Sequence, residues 1–268
     1  MVRHEAAEAL GAIATPECLL LLEQYAQDKC REVAETCQLA VGRIRYWREQ
    51  RASTAPAAGT AALKGSRKET FALAQAGATP PGAAANDDAD TESAFLSGAL
   101  CRRCAAAAAP YARPLRRSVD PVPAAPADTP VEVLRASLLD EGTPMFERYR
   151  ALFALRNRGG VGAAPLLAQV LESSGSALLK HEVCYVLGQL QEPLAVAALE
   201  RTLEDSSQHA MVRHEAAEAL GSIAGPDCRA RLERFLKDPD PVVAEGCLVA
   251  LDILEYEESG AFEYCALE

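Results

Sequence analysis

Met1 to Ala14 and Met211 to Ala224 spell the same phrase, MVRHEAAEALGAIA against MVRHEAAEALGSIA, and differ only at Ala12 and Ser222. The register of 210 residues then persists. Cys18, Glu23, Asp28, Val33, Ala34, Glu35, Cys37, Ala40 and Tyr46 recur as Cys228, Glu233, Asp238, Val243, Ala244, Glu245, Cys247, Ala250 and Tyr256. A looser third copy, LLKHEVCYVLGQL, runs from Leu178 to Leu190. A duplicated unit must bury its apolar face the same way each time, so the chain is confined to architectures built by stacking like on like.

The spacing of the copies fixes the unit. Leu155, Leu187, Leu220 and Leu251 follow one another at intervals of 32, 33 and 31 residues, and Val41 follows Leu10 at 31. A period in the low thirties with helical patterning is that of a helical-repeat solenoid. In one unit, helix A is expected at Pro193 to Leu203 and helix B from about Met211 to Ala224. Val212, Ala216, Ala219, Leu220 and Ile223 of helix B follow the i, i+3, i+4 rule. Gly221 and then Gly225-Pro226 read as the signals that stop it. The phrases Asp238-Pro-Asp-Pro-Val-Val and Val-Arg-x-x-Ala-x-x-Ala-Leu-Gly at 212 to 221 resemble the HEAT repeat.

The expected fold is therefore all-α, a HEAT-repeat α-solenoid in two half-solenoids joined by a long linker. Composition sets the boundaries. Residues 51–128 hold 25 alanines and 8 prolines without sustained periodicity, which makes them a linker without stable contacts to the repeats. Residues 1–50 read as the remnant of an N-terminal half, 129–258 as a C-terminal half, and 259–268 as an acidic tail. The first half offers only His4-Glu5 and Glu35-Thr36, the counterparts of the last two units of the second. Met1 corresponds to the internal Met211, so N-terminal repeats are expected to be missing.

A net charge of −11 and a pI near 5.0 speak against a nucleic-acid partner. No apolar run approaches the ~20 residues that span a bilayer, so no membrane partner is expected. The cysteines at 18, 37, 184, 228 and 247 lie within helical patterns as reduced core thiols, which suits a cytoplasmic location. Cys101 and Cys104 form a lone CxxC in low-complexity surroundings and carry no metal signature.

The chemistry gathers at three of the four histidines, each followed by glutamate in one helical frame: His4-Glu5, His181-Glu182 and His214-Glu215. The corresponding positions of the flanking units are Tyr149-Arg150, Glu35-Thr36 and Glu245-Gly246, which read as plain. Helices B of successive repeats lie about 10 Å apart. His181 and His214 are thus expected to approach within metal-bridging distance, with Glu182 and Glu215 beside them. Two neutral nitrogens and a carboxylate with open positions suit non-haem Fe(II). Mirrored through the duplication, the arrangement becomes dinuclear. HExxH is absent, because Glu8, Tyr185 and Glu218 stand four residues after the histidines. Glu8 and Glu218 are available as reserve ligands, although solvated helix-surface acids are the ordinary reading. His209, outside the frame, reads as a loop residue.

With these motifs the chain resembles the deoxyhypusine hydroxylase family. Ser118-Val-Asp-Pro121, Leu139-Asp-Glu and the run from Phe146 to Asn157 match it as well. The resemblance covers 1–48 and about 118–265. It implies a monooxygenase with two Fe(2+) per complete protein and O2 as co-substrate. The partners implied are a translation factor bearing deoxyhypusine and an external electron donor. It further implies four His-Glu pairs as iron ligands, of which His4, Glu5, His181, Glu182, His214 and Glu215 are present here. Glu182 and Glu5 are also the carboxylates expected to face the substrate's ammonium groups. Lacking one pair, the chain is expected to bind about one iron and turn over weakly or not at all. Two alternatives remain open at this point, a non-enzymatic HEAT scaffold and a HEAT-type tetrapyrrole lyase.

Overall fold

The structure, a computed structural model, describes residues 1–54, 120–159 and 162–259. Among these every regular element is helical. The first half contains α1 (Val2–Ile13), α2 (Pro16–Tyr25) and α3 (Arg31–Thr54). The second contains α4 (Val131–Leu139), α5 (Met145–Arg158), α6 (Ala163–Ser173) and α7 (Ala177–Leu190). A 3-10 turn (Pro193–Ala195) then leads into α8 (Val196–Glu204), α9 (Ala210–Ile223), α10 (Cys228–Arg234) and α11 (Pro241–Ser259). None of these helices is long and apolar enough to cross a membrane.

The repeat pattern becomes a ladder of helices B. α7, α9 and α11 lie side by side, and α1 packs on α3 in the same manner. Helices A cover the other face, with Leu199 and Leu203 of α8 wholly buried. Two cores result. The larger joins Tyr149, Phe153, Leu167, Leu187, Leu220 and Leu254; the smaller joins Ala7, Leu22, Val33, Cys37 and Ile44. Leu39 of α3 belongs to the larger core and ties the halves together.

Gly221 does not end helix B, contrary to the sequence expectation. It lies within α9, where a Cβ would sit 3.0 Å from Ala250 Cα and closer still to its carbonyl oxygen. Its duplicate Gly11 meets Ala40 Cβ at 2.7 Å, and Gly188 meets Ala219 Cα at 3.1 Å. The glycine of each Leu-Gly therefore sets how near the next helix B can come. The helix ends instead at Ala224, held in the left-handed region at φ 50°. Gly221→Ala is expected to cost about 2–3 kcal/mol, because the added methyl presses on backbone that cannot rotate away. Gly162→Ala, with nothing within 4 Å of the new methyl, is the control, and urea denaturation of both reads the difference.

Two boundaries also move. α3 continues to Thr54, beyond residue 50. Residues 120–128, assigned by composition to the linker, are folded: Val122 is fully buried, the Ala125 amide donates to the Arg150 carbonyl at 3.0 Å, and Asp120 pairs with Arg156 at 2.6 Å. Alanine and proline there signal a packed irregular segment, whose contacts composition does not register. The remainder of the expected linker, including Cys101 and Cys104, lies outside the described residues, as does the tail from 260.

The halves meet along α3. Phe146 lies over Gly42, with Cε2 3.1 Å from where a Cβ would be, and the Arg150 guanidinium covers the Tyr46 ring at 5.4 Å. The Ser176 hydroxyl donates to Glu35 at 3.0 Å. This seam places α1 opposite α7.

Candidate metal centre

The residue before each pair anchors its helix. The Arg213 guanidinium donates from Nε to the Leu203 carbonyl at 2.8 Å and pairs through both terminal nitrogens with Asp238, the shorter contact at 2.5 Å. Arg3 pairs with Asp28, the duplicate of Asp238. Arg148 reaches Leu138 and Glu141 in the corresponding unit, and Lys180 Nζ donates to Gln208 at 3.0 Å. Each helix B is thus pinned one residue before its functional pair. His209 caps α9 by accepting the Met211 amide at 3.3 Å and takes no part in the site.

His4 is almost completely buried. Its Nε2 lies 3.7 Å from a Glu5 oxygen and 3.8 Å from a Glu8 oxygen, and its ring meets His181 edge-on with centroids 5.2 Å apart. His181 Nε2 stands 3.2 Å from Glu215 Oε2, misaligned for a hydrogen bond. His214 Nε2 lies 3.1 Å from Glu218. The potential ligand atoms fall into two sets, each with mutual separations within 4.8 Å: His4, Glu5 and His181; and His214, Glu215 and Glu218.

This grouping differs from the expected one. His181 is grouped with His4 across the seam, and His214 is placed in the other set. The reason is the register between successive helices B. Each histidine faces the second residue of the next pair, so His181 meets Glu215. Glu215 links the two sets. Glu218, expected as a surface acid, belongs to a ligand set. Glu8 turns inward toward His4. Glu182 enters neither set. It is buried on α7, on the side of Glu8, Asp120 and Tyr149.

Burial, followed by the neighbouring His181, pushes the His4 pKa down to about 3, so this imidazole is neutral at ordinary pH. Burial opposes a proton on His181 too, but the Glu215, Glu182 and Glu8 carboxylates outweigh it and raise its pKa. Burial and then Glu8 push Glu182 up to about 8; burial and then Glu5 push Glu8 up to about 7. Glu218 is raised by burial and then by Glu215. Carboxylates and imidazoles thus crowd together without enough positive charge to balance them. His4 Nε2 and both nitrogens of His181 are buried and without hydrogen-bond partners. Orphaned nitrogens facing carboxylates are what a cation would satisfy, and the donor set fits a divalent metal with N/O preference.

Comparison with known proteins decides the family. A family profile described as PBS lyase HEAT-like repeat matches residues 2–28 and 212–238. Deoxyhypusine hydroxylase of Mus musculus is 47% identical over 264 residues, 98% of this chain and 68% of the mouse protein. The human protein of that name is 45% identical over the same shares. The chain belongs to the deoxyhypusine hydroxylase family. The structure of human deoxyhypusine hydroxylase in complex with glycerol aligns at a TM-score of 0.68 and 44% identity, covering 95% of this chain and 68% of that one. A deoxyhypusine hydroxylase is an oxygenase acting on deoxyhypusine, which decides for an enzyme over a scaffold and for a hydroxylase over a lyase. The family implies a metal cofactor and a protein substrate, and the two His/Glu sets have the geometry to hold a metal ion.

Sequence reasoning missed Thr36, whose hydroxyl lies 2.8 Å from His4 Nδ1, and Gly246, which lies against His214. Both sit at the second position of pairs that read as plain. Aligning each histidine with that position on the following helix would have found them.

Proposed function

We propose that His4, Glu5 and His181 hold one Fe(2+), and His214, Glu215 and Glu218 a second. On this reading the chain hydroxylates deoxyhypusine on a translation factor, with O2 as co-substrate and electrons from an external donor. The observation that carries it is the set of partnerless buried nitrogens on His4 and His181, surrounded by carboxylates. Iron, when bound, supplies the activation of O2. The protein's residues hold and orient it: the pinned helices fix the imidazoles, and the buried floor of the site limits water.

Glu182 and Glu8 are committed to neither ligand set. They remain to receive an ammonium group of the substrate, with Glu5, half-exposed at the edge, toward the second. A long dicationic side chain matches a cleft with more carboxylates than two divalent ions neutralise. Cys18, Cys37, Cys184, Cys228 and Cys247 are buried free thiols, which accords with a reducing cytoplasmic location.

The test is to load the chain anaerobically with Fe(2+), count bound iron, and admit O2 and reductant with a deoxyhypusine-bearing factor. Two irons are expected, not the one that the count of His-Glu pairs suggests, because Glu218 gives the second set a third donor; with them a gain of one oxygen atom on the modified lysine is expected. Full turnover by metal-free protein, or iron bound undiminished after both His4 and His214 are changed to alanine, would reject this reading.

A further inference from the structure

The duplication brings three different residues to one structural place. Opposite His4 on the next helix B stands Thr36, opposite His181 stands Glu215, and opposite His214 stands Gly246. The first and third of these settle where the histidine's proton lies.

Thr36 is 2% exposed. Its hydroxyl donates to the Glu32 carbonyl at 2.7 Å, one turn back on α3. A carbonyl oxygen only accepts, so the single hydroxyl proton is committed there. Toward His4 Nδ1, at 2.8 Å, the Thr36 oxygen can therefore only accept. Nδ1 must carry the hydrogen. In a neutral imidazole this leaves Nε2 as a bare lone pair, and Nε2 is the atom that faces Glu5 and Glu8.

In the second half the counterpart of Glu32 is Val242, and that of Thr36 is Gly246. With no side chain at 246, the His214 ring moves onto the space above the helix: a Cβ there would lie 3.1 Å from His214 Cγ and 3.2 Å from Cε1, with Nδ1 closer still. His214 Nδ1 then reaches the Val242 carbonyl directly, at 3.3 Å. That oxygen also only accepts. The same tautomer results without a relay, and Nε2 points to Glu218 at 3.1 Å.

We infer that Thr36 and Gly246 are positioning residues of the metal centre, equivalent by duplication, that fix His4 and His214 as Nδ1–H tautomers and leave each Nε2 free to bind metal. Thr36 relays the imidazole proton to a carbonyl; Gly246 clears the way to one. The inference rests on the metal-centre reading above, and the partner on the far side of a ligating histidine is known to set its orientation and basicity.

The experiment has two arms on the full chain. In metal-free protein, two-bond nitrogen–proton correlation spectra of the imidazoles are expected to show Nδ1–H for His4 and His214. Thr36→Val keeps the shape, removes the acceptor and should turn His4 alone into a tautomer mixture, while Thr36→Ser should retain the wild-type pattern. In the second arm, Co(II) is titrated and followed by its absorption. Thr36→Val is expected to weaken one site by about 10- to 100-fold, Gly246→Ala the other, and Thr36→Ser neither. An Nε2–H form of His4 in the wild type overturns the assignment without any variant. Equal loss in Thr36→Ser and Thr36→Val overturns the role of the hydroxyl. Nδ1–H tautomers in a wild-type chain that takes up no Co(II) overturn the metal reading instead, and with it the positioning role.

Discussion

His181→Ala is expected to abolish metal binding at the seam and to weaken it at the second set as well. His181 contributes the nitrogen that α7 brings across to His4, whose ring it meets edge-on, and it also lies 3.2 Å from Glu215. Removing it takes a ligand from the first set and releases the carboxylate that links that set to the second. Loss of a ligand with its oriented neighbour costs at least the 10- to 100-fold typical of outer-shell changes, and hydroxylation should fall below detection. His214→Ala removes a ligand from the second set only, so one ion should be retained at the seam. His209→Ala should change neither metal content nor turnover, because that ring only caps α9. Metal content after desalting, together with a Co(II) titration, reads all three. Retention of one ion at wild-type affinity in His181→Ala would show that the sets are independent.

The fold was legible in this chain because duplication writes the same packing constraint more than once. The 210-residue register, the low-thirties period and the Leu-Gly phrase together give the ladder of helices B. Gly225-Pro226 does follow the end of α9, but Gly221 is not a stop. A glycine near a helix end suggests a stop, and only the neighbouring helix reveals that Gly221 admits Ala250. The histidines and their glutamates were found on the same grounds as the repeats.

Their grouping was not legible. Sequence shows that His181 and His214 lie on adjacent helices; it does not show which side chains the inter-helix register sets opposite each other. The pairing of His4 with His181 depends on the seam between α1 and α7, set by contacts such as Phe146 on Gly42 that no periodicity encodes. Thr36 and Gly246 were passed over for a related reason. Their role depends on what lies behind the histidine, and neither residue type signals chemistry by itself.

The metal-free protein is expected to lose stability as pH rises from 6.5 to 8. Glu182 has an ordinary carboxyl pKa of 4.5 when unfolded and about 8 when folded; burial, followed by Glu8, disfavours its charged form. Glu8 moves the same way, to about 7. A folded state that holds protons the unfolded state has released is destabilised as pH climbs through that interval. His4 acts oppositely, since its pKa falls from 6.5 to about 3 on folding, so stability gained from it grows with pH only up to about 6.5. Below that pH the effects oppose one another; above it His4 no longer contributes, and His181 and Glu218, whose pKa values are also raised on folding, act in the same direction as the two carboxylates. The loss between pH 6.5 and 8 should be on the order of 2 kcal/mol, at 1.36 kcal/mol per proton and pH unit. Divalent metal reverses the logic, because a bound cation favours ionised carboxylates around it. Urea denaturation in EDTA should therefore show the decline, and denaturation with saturating Co(II) should show a flat or rising profile. Glu182→Gln should flatten the EDTA profile. An EDTA-treated wild type more stable at pH 8 than at 6.5 would mean that Glu182 and Glu8 are ionised without the metal, and that some other cation in the chain already answers the charge of the cleft.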